Sequence, residues 1–406
     1  MSSSELLKFF PKSQVEFAEE LSTIQKLFLN ITPENYNKTY ELIYKSNYSK
    51  NHENFARSIT KFATLRSSLL LILSDLYIRF AEDTNSIDEM KSYLLNKFIL
   101  NCQKFIICCS IKGFISTSEI ADLFKELYEK KKGIEQYIPL ISYFAPEINN
   151  FYPELIDDFE SKIDKCLLEN NDLMGYERSF LAGFEHYKED NWSLLNERRF
   201  NTYEPNSLAF IIKNDDLNTF QAVAESDHFH LYQEIPHSAY TETIYPFCNP
   251  NIAQFAAFHG ALNILYYLID KEYDLNKPNS EGLTVAQFAV AGGNKNVIKL
   301  LKNEGVIFNN TLQAAAMFFR NDLFFELLSE GSQLLDGNEN SNIDNVLNSC
   351  ISQSNMELIL FCLSHGCNIN QKGNVFLFFI WIIVQFIVQF YIVQMISFLL
   401  FFHIKK

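Results

Sequence analysis

IAQFAAFHGALNILYYLIDKEYDLN, residues 252–276, and VAQFAVAGGNKNVIKLLKNEGVIFN, residues 285–309, superimpose without a gap at a spacing of 33 residues. Identities fall at Ala253/Ala286, Gln254/Gln287, Phe255/Phe288, Ala256/Ala289, Gly260/Gly293, Asn263/Asn296, Leu268/Leu301 and Asn276/Asn309, eight of the 25 aligned positions. Each copy reads as a short apolar helix, a glycine turn, a second helix with leucine on its apolar side, and a connection ending in asparagine. A unit of that size cannot bury its own apolar face. A fixed period of this length therefore means a solenoid in which neighbouring units supply one another's core.

Upstream, residues 206–225 (NSLAFIIKNDDLNTFQAVAE) repeat the same order in degenerate form: an apolar helix, a polar Lys213-Asn214-Asp215-Asp216 turn and a second helix. This fits the atypical cap that a solenoid end needs, because its outer face has no neighbour. Residues 228–250, with Pro236, Pro246 and Pro250, are too long for a repeat turn and read as a loop-like insert. Downstream, residues 311–331 form a shortened third repeat, with Ala316, Leu327 and Leu328 aligned to Ala289, Leu300 and Leu301, and residues 350–370 a fourth.

The stretch Gly282, Leu283, Thr284, Val285, Ala286, Gln287, Phe288, Ala289, Val290 resembles the Gly-x-Thr-Pro-Leu-His-x-Ala-Ala pattern of ankyrin-repeat proteins, with Val285 and Gln287 in the proline and histidine places. Thr284 can still cap a helix with its hydroxyl, and the Gln287 amide keeps a donor and an acceptor for bridging turns. Asn251 and Gln254 take those places one repeat earlier. Ala256 and Ala289 suit closely paired helices, Gly260 and Gly293 a left-handed helix exit, and Leu268 and Leu301 the outer layer. The resemblance covers roughly residues 205–370. Ala256-Ala257-Phe258-His259-Gly260 and Ile212-Lys213-Asn214-Asp215-Asp216 are further similar to a group of protist ankyrin proteins with a long helical N-terminal domain of unknown function.

The formal net charge of −15 over 406 residues repels phosphate backbones, so nucleic acid is not expected as a partner. With 38 Phe and 20 Tyr against 13 Gly and 10 Pro, the composition favours long, well-filled helices. The eight cysteines sit mostly in apolar helical patterns, which suits a reducing compartment. MSSSELLKFFPKSQ lacks a cationic lead into an apolar core, so no secretory signal is expected. Residues 13–200 are helical in pattern throughout. The spacing of Ile59, Phe62, Ala63, Leu69, Leu70, Leu73, Leu76, Tyr77 and Phe80 predicts one helix over 52–81. Capping boxes are expected at Ser86/Glu89 and Ser116/Glu119, the first opening a helix that continues to Cys109. Pro33 and Pro153 fit first-turn positions.

Sequence motifs for chemistry give little. Cys362, His365 and Cys367, with Cys350 upstream, have a spacing that zinc accepts, but they also fit the Leu-x-x-Gly-Ala-Asp-x-Asn end of a repeat. His228 and His230 read as a loop pair, and Gly292-Gly293 lacks the Lys-Ser/Thr of a phosphate cradle. Val375 through Phe402 holds 28 residues without a charge, flanked by Lys372, Lys405 and Lys406. It is long enough to span a bilayer, and its Phe/Ile/Val vocabulary is equally that of translated AT-rich non-coding sequence.

The expected fold class is all-α: a helical N-terminal domain over 1–200, a degenerate capping repeat and insert over 201–250, a short ankyrin solenoid over 251–370, and a hydrophobic C-terminal helix over 375–402. The expected function is a non-catalytic scaffold binding another protein, without cofactor, metal or small-molecule substrate. It would be cytoplasmic, or membrane-anchored and facing the cytoplasm if 375–402 is a true transmembrane helix. A membrane-anchored adaptor and an enzyme hidden in the N-terminal helices are the alternatives. The candidate protein-binding residues are Lys277, Asn279 and Glu281 at the one full-length tip between repeats, with Phe258 and His259 at the end of the first inner helix.

Overall fold

The computed structural model describes residues 12–130, 133–226, 229–236, 240, 249–330 and 341–365. Val375 through Phe402, Cys248, Cys367, His228 and the first eleven residues lie outside them. Among the described residues the regular elements are all helices, and the one β-bridge joins Glu234 to Asn251. The helices are α1 Lys12–Leu29, α2 Tyr36–Tyr44, α3 His52–Leu65, α4 Leu70–Asp83, α5 Ile87–Ser92, α6 Gln103–Ile111, α7 Thr117–Tyr128, α8 Ile138–Phe151, α9 Pro153–Glu160, α10 Ile163–Glu169, α11 Gly175–Ala182 and α12 Phe184–Phe200. After them come short pairs: α13 Leu208–Lys213 with α14 Leu217–Ala224, α15 Ile252–His259 with α16 Leu262–Asp270, and α17 Val285–Gly292 with α18 Lys295–Asn303. The last two pairs are α19 Thr311–Met317 with α20 Asn321–Ser329, and α21 Ser341–Ser352 with α22 Met356–Ser364.

Thr23–Ile307 is one compact unit, so residue 200, where the sequence pattern changes, lies inside it. Its N-terminal part is built on aromatic rings. Phe28 packs on Phe62 at 5.8 Å between centroids, Phe55 stacks on Phe80 at 3.9 Å, and Tyr77 meets Phe105 edge-on at 5.5 Å. The Tyr77 hydroxyl, fully buried, donates to the Met90 carbonyl at 2.8 Å, which satisfies its polar end.

Several local expectations fail here. The helix predicted over 52–81 breaks at Arg66 (φ −134°, ψ 86°) into α3, a 3-10 turn Ser67–Leu69 and α4, because two consecutive serines offer little helix propensity while the apolar period carries on across the break. Ser86 does not cap α5: its hydroxyl pairs with Thr84, and Glu89 is drawn instead to His52 at 2.7 Å and to the Tyr93 hydroxyl at 2.7 Å. The helix does not run on to Cys109 but passes through a π-helical turn, Tyr93–Phe98, and restarts at Gln103. Pro33 sits in a turn ahead of α2. Ser116 and Glu119 form the expected reciprocal box, and Pro153 opens α9.

In the repeats of this unit the first helices stack in a row, α13 on α15 and α15 on α17, with α14 beside α16. Asn251 and Gln254 cap α15 reciprocally, Thr284 and Gln287 cap α17, and Gln254 Nε2 reaches on to the Leu283 carbonyl of the next unit at 2.7 Å. Gly260 and Gly293 end their helices at φ 81° and 80°. Gly292 is required by close approach: a Cβ there would lie 2.1 Å from the Phe258 carbonyl oxygen. Ala256, Ala289, Leu268 and Leu301 are fully buried.

The described residues of the other unit are 12–22, 308–330 and 341–365. In it α19 packs on α20 and on α21, and α21 on α22. Where a fourth repeat was expected over 350–370, the pair α21–α22 begins earlier, its first helix starting at Ser341; a helix without the Ala-Ala signature left only its C-terminal end legible. Fully buried Asn355 ties the two pairs together, its amide donating to the Ala316 carbonyl at 3.0 Å and to Asn321 Oδ1 at 2.8 Å. Cys350 and Cys362 are buried inside helices, as small apolar residues would be.

Candidate functional site

The connection from α16 to α17 is shaped by one asparagine. The Asn279 amide nitrogen of the backbone donates to the Leu283 carbonyl at 3.0 Å, and Oδ1 accepts from the Glu281 and Leu283 N–H groups at 3.2 and 2.9 Å. Nδ2 donates to the Asn249 carbonyl at 3.3 Å, and Gly282 closes the turn at φ 75°. Asn279 is 8 % exposed. The side chain of this candidate binding residue is therefore spent on holding the tip. Lys277 and Glu281 are exposed on the same turn.

Phe258 and His259 end α15, both half-buried. The Phe258 ring meets His259 edge-on at 5.2 Å. His259 packs over Phe255 at 4.4 Å and faces Tyr203, whose hydroxyl lies 3.5 Å from Nε2. Tyr203 also meets Phe255 edge-on at 5.4 Å, with the Lys213 ammonium 5.2 Å above its ring. Next to it, the Thr202 hydroxyl accepts from Lys104 Nζ at 2.9 Å, and the same ammonium binds the Tyr240 carbonyl at 2.9 Å. Tyr203, on the loop between α12 and α13, thus packs against Phe255 and His259 of α15, a helix in which Ile252 through Ala257 are all buried.

The structure brings Lys277, Asn279 and Glu281 together on one turn and places Phe258 and His259 at the end of a neighbouring helix. Three residues missed by the sequence reading complete the tip. Tyr232, from the insert, stacks on Tyr273 with centroids 4.4 Å apart, and Lys277 Nζ lies 4.0 Å from the Tyr232 centroid. Glu234 accepts from the Ser280 N–H at 3.3 Å. The only sequence signal for this was an aromatic and an acid two residues apart in a proline-bounded insert, which names no target. Burial pushes the Tyr273 phenol above its ordinary range.

Residues 253–301 match the family described as ankyrin repeats (many copies). No curated protein matches the chain. The chain therefore carries ankyrin repeats where α15 to α18 stand, and this supports a role in protein–protein interaction. Among the described residues no helix is long and apolar enough to cross a membrane.

Proposed function

We propose that this protein is a non-catalytic scaffold that binds another protein through the tip between α16 and α17 and through Phe258 and His259 at the C-terminal end of α15. The observation that carries the reading is the division of labour within the matched repeats. Alanines, leucines, glycines and the cap residues Asn251, Gln254, Thr284 and Gln287 are consumed by packing and backbone hydrogen bonds. Side chains left facing solvent, Lys277 and Glu281, stand on a turn that Asn279 makes rigid. A rigid turn loses little entropy on binding, and an aromatic such as Phe258 at the margin of the packing is the type that carries interface energy. The pair α13–α14 serves as the cap of the stack, its Asp215 turn touching the next unit.

The test compares the full-length chain with its Phe258→Ala/Glu281→Lys form as bait. Recovery of co-purifying partners is expected to fall at least about tenfold with an unchanged melting curve, the loss expected when two central contacts of about 1 kcal/mol each are removed. Equal recovery by the folded double variant refutes the assignment. A membrane-anchored adaptor is the second reading, favoured by the uncharged run from Val375 to Phe402. Resistance of the cellular protein to carbonate extraction supports it, and release into the supernatant overturns it.

A further inference from the structure

The insert does more than lengthen the chain between α14 and α15. Its arm, residues 229–236, lays a short motif across the tip. The Tyr232 ring is held on two faces, by the Tyr273 ring at 4.4 Å and by the Lys277 ammonium at 4.0 Å from the centroid. Its hydroxyl oxygen accepts from the Asp274 N–H at 3.2 Å. Two residues on, the Glu234 carboxylate accepts from the Ser280 N–H at 3.3 Å. Glu234 pairs antiparallel with Asn251, and the Ile235 N–H donates to the Pro250 carbonyl at 2.7 Å while its side chain is buried. Backbone pairing with alternate side chains seated in pockets is the way sheet edges recognise extended peptides. Two features mark the seat as one that its occupant does not fill. Tyr232 stays 40 % exposed, and the Tyr273 hydroxyl is buried without a hydrogen-bond partner among the described residues.

We propose that the tip formed by Tyr273, Asp274, Lys277 and Ser280 is a socket for a peptide of the form tyrosine-x-acidic-aliphatic, that residues 232–235 occupy it in cis, and that a partner protein bearing such a segment docks by displacing the arm. The inference rests on the interaction reading above and names the partner's chemistry. The cation selects an aromatic face, the Asp274 N–H selects a tyrosine oxygen over phenylalanine, and the Ser280 N–H selects a carboxylate two residues later. The cis arm lowers apparent affinity by the fraction of time it is seated, so partner binding is gated by the chain itself.

The experiment uses the full-length chain and a fluorescein-labelled peptide FHLYQEIP, read by anisotropy. The Tyr232→Ala/Glu234→Ala chain is expected to bind this peptide at least about tenfold more tightly than the unaltered chain, because its socket stands open. Adding Lys277→Glu is expected to abolish the gain, as is a peptide with both recognition residues changed to alanine. Equal binding by opened and unaltered chains, or a gain indifferent to Lys277→Glu, overturns the proposal. If the opened variant fails to fold, hydrogen exchange on the single Lys277→Glu chain decides: faster exchange at the Ser280 and Ile235 amides supports the cis contact, and unchanged exchange refutes it. Neither measurement touches Phe258 or Glu281, so the socket can fail while the scaffold reading stands on its own test.

Discussion

The repeats that match one another in sequence and those that do not make the same backbone turn. The exit from the first helix of each pair is left-handed at Gly260 and Gly293 (φ 81° and 80°), and equally at Asp215, Phe319 and Ser354 (φ 52°, 51° and 52°). Glycine adopts this conformation freely, whereas other L-residues pay about 1 kcal/mol or more. The unlike repeats must offset that cost locally. Asp215 does so with its carboxylate, which accepts from the Asn263 and Ile264 N–H groups, both at 3.0 Å, and from Asn263 Nδ2 at 2.9 Å. It thereby caps α16 from the preceding unit, while Asp216 caps its own α14. A sequence signature can thus fade while the geometry persists, provided another interaction absorbs the strain.

The largest effect is expected where both kinds of repeat depend on the same close packing. Ala256→Asp places an unpaired carboxylate at a fully buried position and should destabilise the chain by about 4 kcal/mol or more, abolishing the cooperative melt seen by circular dichroism. Retention of the wild-type melting temperature would show that α15 and α17 are not packed as described. Next comes Gly292→Ala, whose methyl meets the Phe258 carbonyl; a cost of about 2–3 kcal/mol is expected, because a backbone atom has to move. Chemical denaturation measures it, and a loss under about 1 kcal/mol would relocate the helix contact.

Two smaller changes sharpen the comparison between glycine and non-glycine exits. Asp215→Gly should destabilise by about 1 kcal/mol even though it relieves the left-handed strain, because the cap on α16 is worth more than the strain. A stabilised variant would mean that the hydrogen bonds to Asn263 and Ile264 contribute nothing. Gly305→Ala is the clean reference: φ is 73° and no atom lies within 4 Å of the added Cβ, so the loss of about 1 kcal/mol is conformational alone. Equal midpoints for Gly305→Ala and the unaltered chain would say that this connection relaxes out of the left-handed region.

Legibility followed the same division. Thr284, Gln287, Asn251, Gln254 and the exits Gly260 and Gly293 were readable because each serves its own turn of helix, and local hydrogen bonding demands few residue types. The first helix of the fourth repeat was missed from Ser341 onward because Ser354 carries the exit that glycine marks elsewhere. In the N-terminal helices the apolar spacing survived while the breaks at Arg66 and after Phe98 did not show, since the rings of Phe55, Phe80 and Tyr77 fill one core from several short helices. At the tip the sequence pattern grouped Lys277, Asn279 and Glu281 as candidates without showing that Asn279 is bonded into the turn, because an asparagine's bonds to its own turn are not visible in its neighbours' identities.

Period and contacts a few residues apart were enough to read helices throughout, the two matching pairs over 252–303 and the caps Asn251, Gln254, Thr284 and Gln287, because each of these is a local property. What covers the repeats came from folding of distant segments alone. Tyr203 reaches Phe255 from 52 residues away in the chain, Tyr232 reaches Tyr273 from 41 and Glu234 reaches Ser280 from 46, and no pattern within a segment encodes a contact made by closing loops of that length.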